Sequence, residues 1–344
     1  MAELRIGNWN IEWMNRWFTN DSTVPRWKDS GDIGGVTDID DLARRVAGVI
    51  DAMAPDILTI QEGPSRAAEL ALFADGPLCG RYEVVGPAGA GQQKLYALVR
   101  RGCPLIADVA VAGPRAGVDF DEPFEVDVTG DLRLAPYTIT RPPLVIDVTL
   151  TTGRVVEVMT LHMKSKYVHG GEAMWRDPAT RQDFVVEAML ARRRISAEAM
   201  RVRAYLDARL AADAGAGIVV TGDLNDGPGL DWFEKRYLTH NLVGMIAGSP
   251  YDPRRMLRHA FVDLVAKEDN FSAIFDDFIL ERETRPLLDH ILCTPGLFWD
   301  GDGARAVTGR IDHDHWQAGV DAGKPGGRER EPSDHRPMSA VIRV

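Results

Sequence analysis

Eight polar residues mark points where a run of apolar or β-branched residues gives way to polar chain: Asn10, Glu62, His162, Asp223, Asn225, Asp289, Asp334 and His335. Such runs read as strands, and in α/β proteins ligands gather beyond strand ends. The clearest is Ile218-Val219-Val220-Thr221-Gly222-Asp223-Leu224-Asn225-Asp226, where Asp223 and Asn225 lie two apart on extended chain and point the same way. Carboxylate and amide oxygens are hard ligands suited to Mg2+ or Mn2+, which take one or two protein carboxylates and leave other positions to water and phosphate oxygens. Histidines among them can transfer protons or clamp phosphate as cations. Each position alone also admits a plainer reading; Asp223 to Asp226 could be an Asx turn running into Gly227-Pro228-Gly229. His162-Met163-Lys164-Ser165-Lys166 reads equally as a surface turn or as a phosphate-facing cluster that includes Lys164 and Lys166.

The elements that must position these groups follow from periodicity. Leu4 to Ile11 alternates as a strand, and Ile57 to Ile60 forms another that ends at Glu62. Between them Leu42, Val46, Val49, Ile50 and Met53 share a helical face that starts near Thr37 and Asp40 and stops at Pro55. Ser65 to Ala74 reads as helix; Tyr82 to Val85, Leu95 to Val99 and Leu105 to Val111 read as strands. Leu144 to Leu150 and Val155 to Leu161 form a hairpin across Thr151-Thr152-Gly153. Ala179 to Ala212 is a long helix whose Arg192, Arg193, Arg194, Arg201 and Arg203 are a solvated face or a nucleic-acid patch. A helix near Leu230 to Tyr237 and strands at Leu287 to Cys293 and Met338 to Val344 complete the pattern. Residues 15–35 and 301–331 read as loops, the first with Trp17 and Trp27 and the second with Asp312-His313-Asp314-His315.

Composition narrows the class. The 344 residues are 45% hydrophobic and 26% charged, which suits a compact soluble protein, and no linker or repeat divides the chain, so residues 1–344 are expected to form a single domain. Net charge of -11 argues against a non-specific nucleic-acid coat, so a polyanionic substrate needs bound cations or a local basic patch. Three scattered cysteines give neither a disulfide framework nor a thiolate zinc site. With no signal-like start and no stretch near ~18 apolar residues, no membrane span and a cytoplasmic location are expected.

Six motifs, in order, resemble those of the endonuclease/exonuclease/phosphatase superfamily: Asn8-Trp9-Asn10-Ile11-Glu12, Ile60-Gln61-Glu62, Leu161-His162, Gly222-Asp223-Leu224-Asn225, Leu288-Asp289-His290-Ile291-Leu292 and Ser333-Asp334-His335-Arg336-Pro337. The resemblance implies a four-layer α/β sandwich, two packed mixed sheets flanked by helices, with a divalent-metal site at their shared edge. It further implies Glu62, Asn10 and Asp334 at the metal, Asp223 orienting or deprotonating water, Asn225 on water or phosphate, His335 as catalytic histidine supported by Asp289, and His162 facing the phosphate. The His162-Met163-Lys164-Ser165 segment resembles bacterial nuclease-like members. One departure is His290, where many members have Tyr. The implied activity is a Mg2+- or Mn2+-dependent phosphodiesterase, a nuclease on DNA or RNA, with a phosphatase or phosphodiesterase on a small or lipid-derived phosphate ester as the alternative. A non-enzymatic binding protein on this scaffold would be expected to have lost ligands or histidines, and none is missing.

Overall fold

The computed structural model describes residues 2–19, 24–29, 35–89, 91–227, 231–237, 241–261, 269–323 and 331–344. Strand β1 (Glu3–Asn10) runs parallel to β2 (Ile57–Gly63), and α1 (Ile39–Met53) makes the crossover. The Asp38 side chain accepts from Asp41 N to cap α1, which buries Leu42, Val46, Val49, Ile50 and Met53 as their spacing requires. Helix α2 (Ala67–Asp75) precedes the antiparallel pair β3 (Tyr82–Ala88) and β4 (Lys94–Arg100).

The second half opens with β5 (Ile106–Val111) and a side hairpin, β6 (Phe124–Val126) with β7 (Ala135–Tyr137). The hairpin of β8 (Leu144–Leu150) and β9 (Val155–His162) turns across Thr151 to Gly153. Helices α3 (Gly171–Arg176) and α4 (Arg181–Ala212) carry the chain to β10 (Gly217–Asp223), parallel to β9. Next come α5 (Trp232–Tyr237), α6 (Leu242–Ala247), β11 (Arg258–His259), and a small hairpin of β12 (Phe275–Asp277) and β13 (Arg282–Thr284). Strand β14 (Asp289–Cys293), α7 (Pro295–Phe298), β15 (Val307–Ile311), α8 (His313–Asp321) and β16 (Met338–Arg343) complete the order.

Two mixed six-stranded sheets result, in the orders β15-β16-β1-β2-β4-β3 and β11-β14-β10-β9-β8-β5. Leu4, Ile6, Ile57, Val158, Val219 and Ile291 pack between them. On the outer face of the first sheet Trp9, Leu58 and Ile60 meet α1 and α2; on that of the second, Met159, Ile218 and Val220 meet α4 and α6. The layers are therefore helix, sheet, sheet, helix, the sandwich the motifs imply. At one end of the interface the filling turns polar: the Thr59 hydroxyl of β2 donates to Asn8 Oδ1 at 2.9 Å and meets the Thr221 hydroxyl of β10 at 3.0 Å, joining the sheets. Among the described residues no helix is long and apolar enough to cross a membrane.

The loop reading of residues 301–331 is corrected, since β15 and α8 both lie within it. The strand hides from sequence because Gly309 sits where Phe261 packs, and a Cβ at that position would lie 2.5 Å from its ring. Helix α8 buries Trp316 and Val320 in the same cluster as the apolar face of α1. Residues 324–330 lie outside the described set, as do 20–23 and 30–34 of the first loop and Pro228-Gly229. In that first loop Trp17 and Phe18 are fully buried, and Trp27 stacks on Phe18 at 4.7 Å.

Candidate active site

The eight polar residues come to one end of the sandwich. Parallel β1 and β2 end at Asn10 and Glu62, parallel β9 and β10 end at His162 and Asp223, and antiparallel β14 begins at Asp289. His335 lies just before β16, antiparallel to β1, so it joins the same edge. Two local devices aim the side chains. A bulge in the β2–β4 pairing coincides with a left-handed Glu62 at φ 56°, and Asn225 is left-handed at φ 53°, a conformation Asn tolerates better than most residues. Gly222 has φ 139°, and a Cβ there would lie 2.0 Å from Leu161 O, so only glycine lets β10 approach β9 just before Asp223.

Asn10 Nδ2 donates to Asp223 Oδ2 at 3.1 Å and to Glu62 Oε1 at 3.3 Å, while Trp13 N donates to Glu62 Oε2 at 2.9 Å. His162 Nε2 lies 3.7 Å from Asp223 Oδ2 and 3.8 Å from Glu62 Oε1. His335 Nδ1 donates to Asp289 Oδ2 at 2.6 Å, which leaves Nε2 facing Asp223 Oδ2 at 4.0 Å and Asp334 Oδ1 at 3.9 Å. Asn225 N donates to Asp223 Oδ1 at 2.8 Å, and Asn225 Nδ2 to Met163 O at 3.0 Å. Asp334 is held by its own backbone N–H on Glu12 Oε2, and the Ser272 hydroxyl accepts from Asp289 N.

Burial sets the charges. It raises the Glu62 carboxyl, an effect the Trp13 N–H opposes and Asp334 reinforces. Asp223 is pushed up to about 7 by burial and by the charge of Asp289, with His335 opposing. His162 is held well below its usual value by burial, then by Arg141 and His335. Burial alone would lower His335 too, but the charges of Asp289, Asp334 and Asp223 hold it well above the usual histidine range.

The donor set fits a hard divalent cation. Asn10 Oδ1 and Asp334 Oδ1 are buried atoms with no hydrogen-bond partner, close to a carboxylate, Glu62, whose charge is costly without a counter-ion. Asp223, Asp289 and His335 also bring potential ligand atoms within 4.8 Å of one another, but there the shortest contact is the His335–Asp289 hydrogen bond, which already uses one atom of each.

Lys166 is placed otherwise than as a phosphate-facing group. Its ammonium sits 2.5 Å from Asp226 Oδ1, 2.6 Å from Glu234 Oε1 and 3.3 Å from Asp231 Oδ2, because the fold brings α5 over the segment that follows β9. Lys164 is half-buried on the same segment. The arginines of α4 do not form a free patch either. Arg192 is buried against Phe233 and pairs with Asp231, Arg193 donates to Thr129 O, Arg201 to Asp119 O and Arg203 to Asp207. In the Asp312 to His315 run, Asp312 is buried and accepts from the Ser339 hydroxyl at 2.9 Å, while His313 meets Asp269 O. His290 is buried, and both its ring nitrogens are taken up by Asp226 O and His259.

Sequence reading missed Arg141 and Gln93. Arg141 Nη1 donates to Met163 O at 3.2 Å beside His162, and Gln93 Nε2 donates to Glu62 Oε2 at 2.5 Å. Arg141 carried a signal, since residues just before β8 must lie beside those just after antiparallel β9. Gln93 carried none.

Solved structures share the architecture at low identity. A truncated Caenorhabditis elegans TDP2 is 15% identical with a TM-score of 0.52, over 99% of this chain and 98% of its own. A D. rerio TDP2 complexed with single strand DNA product is 14% identical with a TM-score of 0.51, over 100% of each chain. No curated protein matches the sequence. The model of the Endonuclease/Exonuclease/phosphatase family matches residues 8–335, a span that begins just before Asn10 and ends on His335, and the chain belongs to that family.

Proposed function

We propose that this protein hydrolyses phosphodiester bonds of a nucleic acid with the aid of Mg2+ or Mn2+, by in-line attack of water. The observation that carries the reading is the gathering around Asp223 of Glu62, two orphaned oxygens, Asn10 Oδ1 and Asp334 Oδ1, and the His335–Asp289 pair. Glu62, Asn10 and Asp334 would hold the cation, which when bound neutralises charge on the phosphate oxygens. Asp223, titrating near neutrality, takes the proton of the attacking water, and Asn225 helps hold that water or a phosphate oxygen. His335 stays cationic and faces the charge that builds on phosphorus-bound oxygen, with Arg141 as a second cation near the same edge. His162, held neutral, presents its ring to the leaving oxygen. The D. rerio relative bound to single-stranded DNA favours a nucleic-acid substrate.

A second reading, a small phosphate ester, is favoured by one observation: Lys166 and four α4 arginines are spent on internal partners, so these five do not form a track for a long polyanion. Hydrolysis of single- and double-stranded oligonucleotides and of bis(p-nitrophenyl) phosphate, by metal-stripped protein titrated with Mn2+ or Mg2+, tests both. Glu62→Gln is expected to raise the metal concentration for half-maximal activity about tenfold with the fold intact. Unchanged metal dependence in that variant refutes the ligand assignment, and turnover of the small diester with no oligonucleotide cleavage transfers the function to the second reading.

A further inference from the structure

Asp226 follows Asn225, is 3% exposed, and lies outside the set that faces the phosphate. Its Oδ1 accepts from Lys166 Nζ at 2.5 Å and Gly227 N at 3.0 Å, and its Oδ2 accepts from Leu242 N at 2.9 Å. Its backbone carbonyl is 2.7 Å from His290 Nε2, and His290 Nδ1 is 2.8 Å from His259 Nε2. The chain ends where Phe261 N donates to His259 Nδ1 at 3.2 Å.

That last contact fixes every proton. His259 Nδ1 accepts, so its ring N–H is on Nε2 and donates to His290 Nδ1. His290 then carries its own N–H on Nε2 and donates to the Asp226 carbonyl. A proton added to His259 would point Nδ1–H at Phe261 N–H, and one added to His290 would point Nδ1–H at His259 Nε2–H, so the relay exists only with both rings neutral. Each arm ends beside a site residue: Lys166 is on the segment of His162, His290 adjoins Asp289, and Asp226 adjoins Asn225.

We propose that Asp226, His290, His259 and Lys166 form a positioning assembly that fixes the loop bearing Asn225 against the strands bearing His162 and Asp289, with the two histidines as a neutral relay of single orientation. None of the four touches the reacting centre. Burial lowers the proton affinity of both rings, for His259 together with the neighbouring His290, and for His290 against the opposing pull of the Asp226 carbonyl and the Asp289 and Asp226 charges. The inference rests on the phosphodiesterase reading only for what the loop is held ready to do.

Two measurements decide it. Histidine 15N NMR of the whole protein is expected to show two rings as neutral Nε2–H tautomers throughout about pH 5.5 to 8, both shifts absent or altered in His259→Phe. A ring at this pair that is an Nδ1–H tautomer, or that titrates near the usual value, overturns the relay. His259→Phe keeps a ring but removes the donor to His290, whereas His259→Gln keeps a donor. With Mn2+ and bis(p-nitrophenyl) phosphate the Phe variant is expected to lose about tenfold in kcat with KM within about twofold, and the Gln variant to recover most of the loss. Equal losses in the two variants, or none, overturn the positioning role. If the wild-type protein hydrolyses no phosphodiester, the functional reading falls by itself. Hydrogen exchange at the Asn225 amide, expected faster in His259→Phe than in His259→Gln, then still decides the positioning.

Discussion

His162 and His335 both approach Asp223 Oδ2, at 3.7 and 4.0 Å, yet the first is held neutral and the second cationic. Burial lowers both; the difference is Asp289, which bonds only His335. Environments that push like groups apart assign acid and base roles. Asp289→Asn is therefore expected to lower kcat by about 10² to 10³ while leaving the metal requirement nearly unchanged. The pH profile supplies the sign. In its proposed role Asp223 must lose its proton to act, so activity is expected to rise with pH through about 7, the limb belonging to the interacting cluster rather than to one carboxyl. In its proposed role His335 must keep its proton, so activity is expected to fall as pH passes its raised value, and removing the Asp289 charge should move that alkaline limb to lower pH. An unmoved limb in Asp289→Asn would dismiss His335 as the cation. At this scale the eight polar residues were legible as strand ends from local pattern, but their meeting followed only from the family resemblance, because pattern alone does not say which strand ends share an edge. The fate of Lys166 was not legible: its partners Asp226, Asp231 and Glu234 lie 60 or more positions away and reach it only through the fold.

Among the elements, β10 shows how a strand's backbone serves its last side chain. Gly222→Ala would set a methyl 2.0 Å from Leu161 O in a left-handed conformation, and its nearest neighbours are all Leu161 backbone atoms, with no flexible side chain to yield. A loss of roughly 3 kcal/mol or more is expected in denaturant unfolding, with activity lost wherever the variant still folds. A variant of wild-type stability would contradict the close approach of β9 and β10. Strands with continuous apolar runs and helices such as α1, with a capped amphipathic face, were readable because local pattern and burial agree. Strand β15 and the short α6 were not, since their formation depends on what packs over them: Phe261 above Gly309, and the Asp226 carboxylate at Leu242 N. The arginines of α4 stood open between a solvated face and a nucleic-acid patch for the same reason, as a charge run on a helix does not disclose which carbonyls and rings the fold will set against it.

Over the whole molecule, net charge of -11 meets a site that is itself acidic apart from His335 and Arg141. With Lys166 and four α4 arginines paired internally, oligonucleotide binding by His335→Ala should depend weakly on salt, a logarithmic slope of about -1 to -2 for a single strand, where a long basic groove would give a much steeper one. A steep slope would point to a groove built from residues other than Lys166 and the α4 arginines. The two sheets share the work: Asn10 and Glu62 come from one, His162, Asp223 and Asp289 from the other. Beneath the site the hydroxyls of Thr59 and Thr221, 3.0 Å apart, bridge the two sheets where the apolar packing between them gives out. Replacing both by Val keeps shape and removes the bridge together with the bond to Asn8 Oδ1, which still accepts from Gln61 Nε2, so stability should fall by only about 1 to 2 kcal/mol. Yet a shift of the sheets by a fraction of an ångström would pull the halves of the site out of step, and turnover should fall about tenfold or more; undiminished turnover would show that the hydroxyls merely fill space. On the expected outcome the two hydroxyls act as a spacer gauge: the floor of the site, and not only its lining, sets how its two halves face each other.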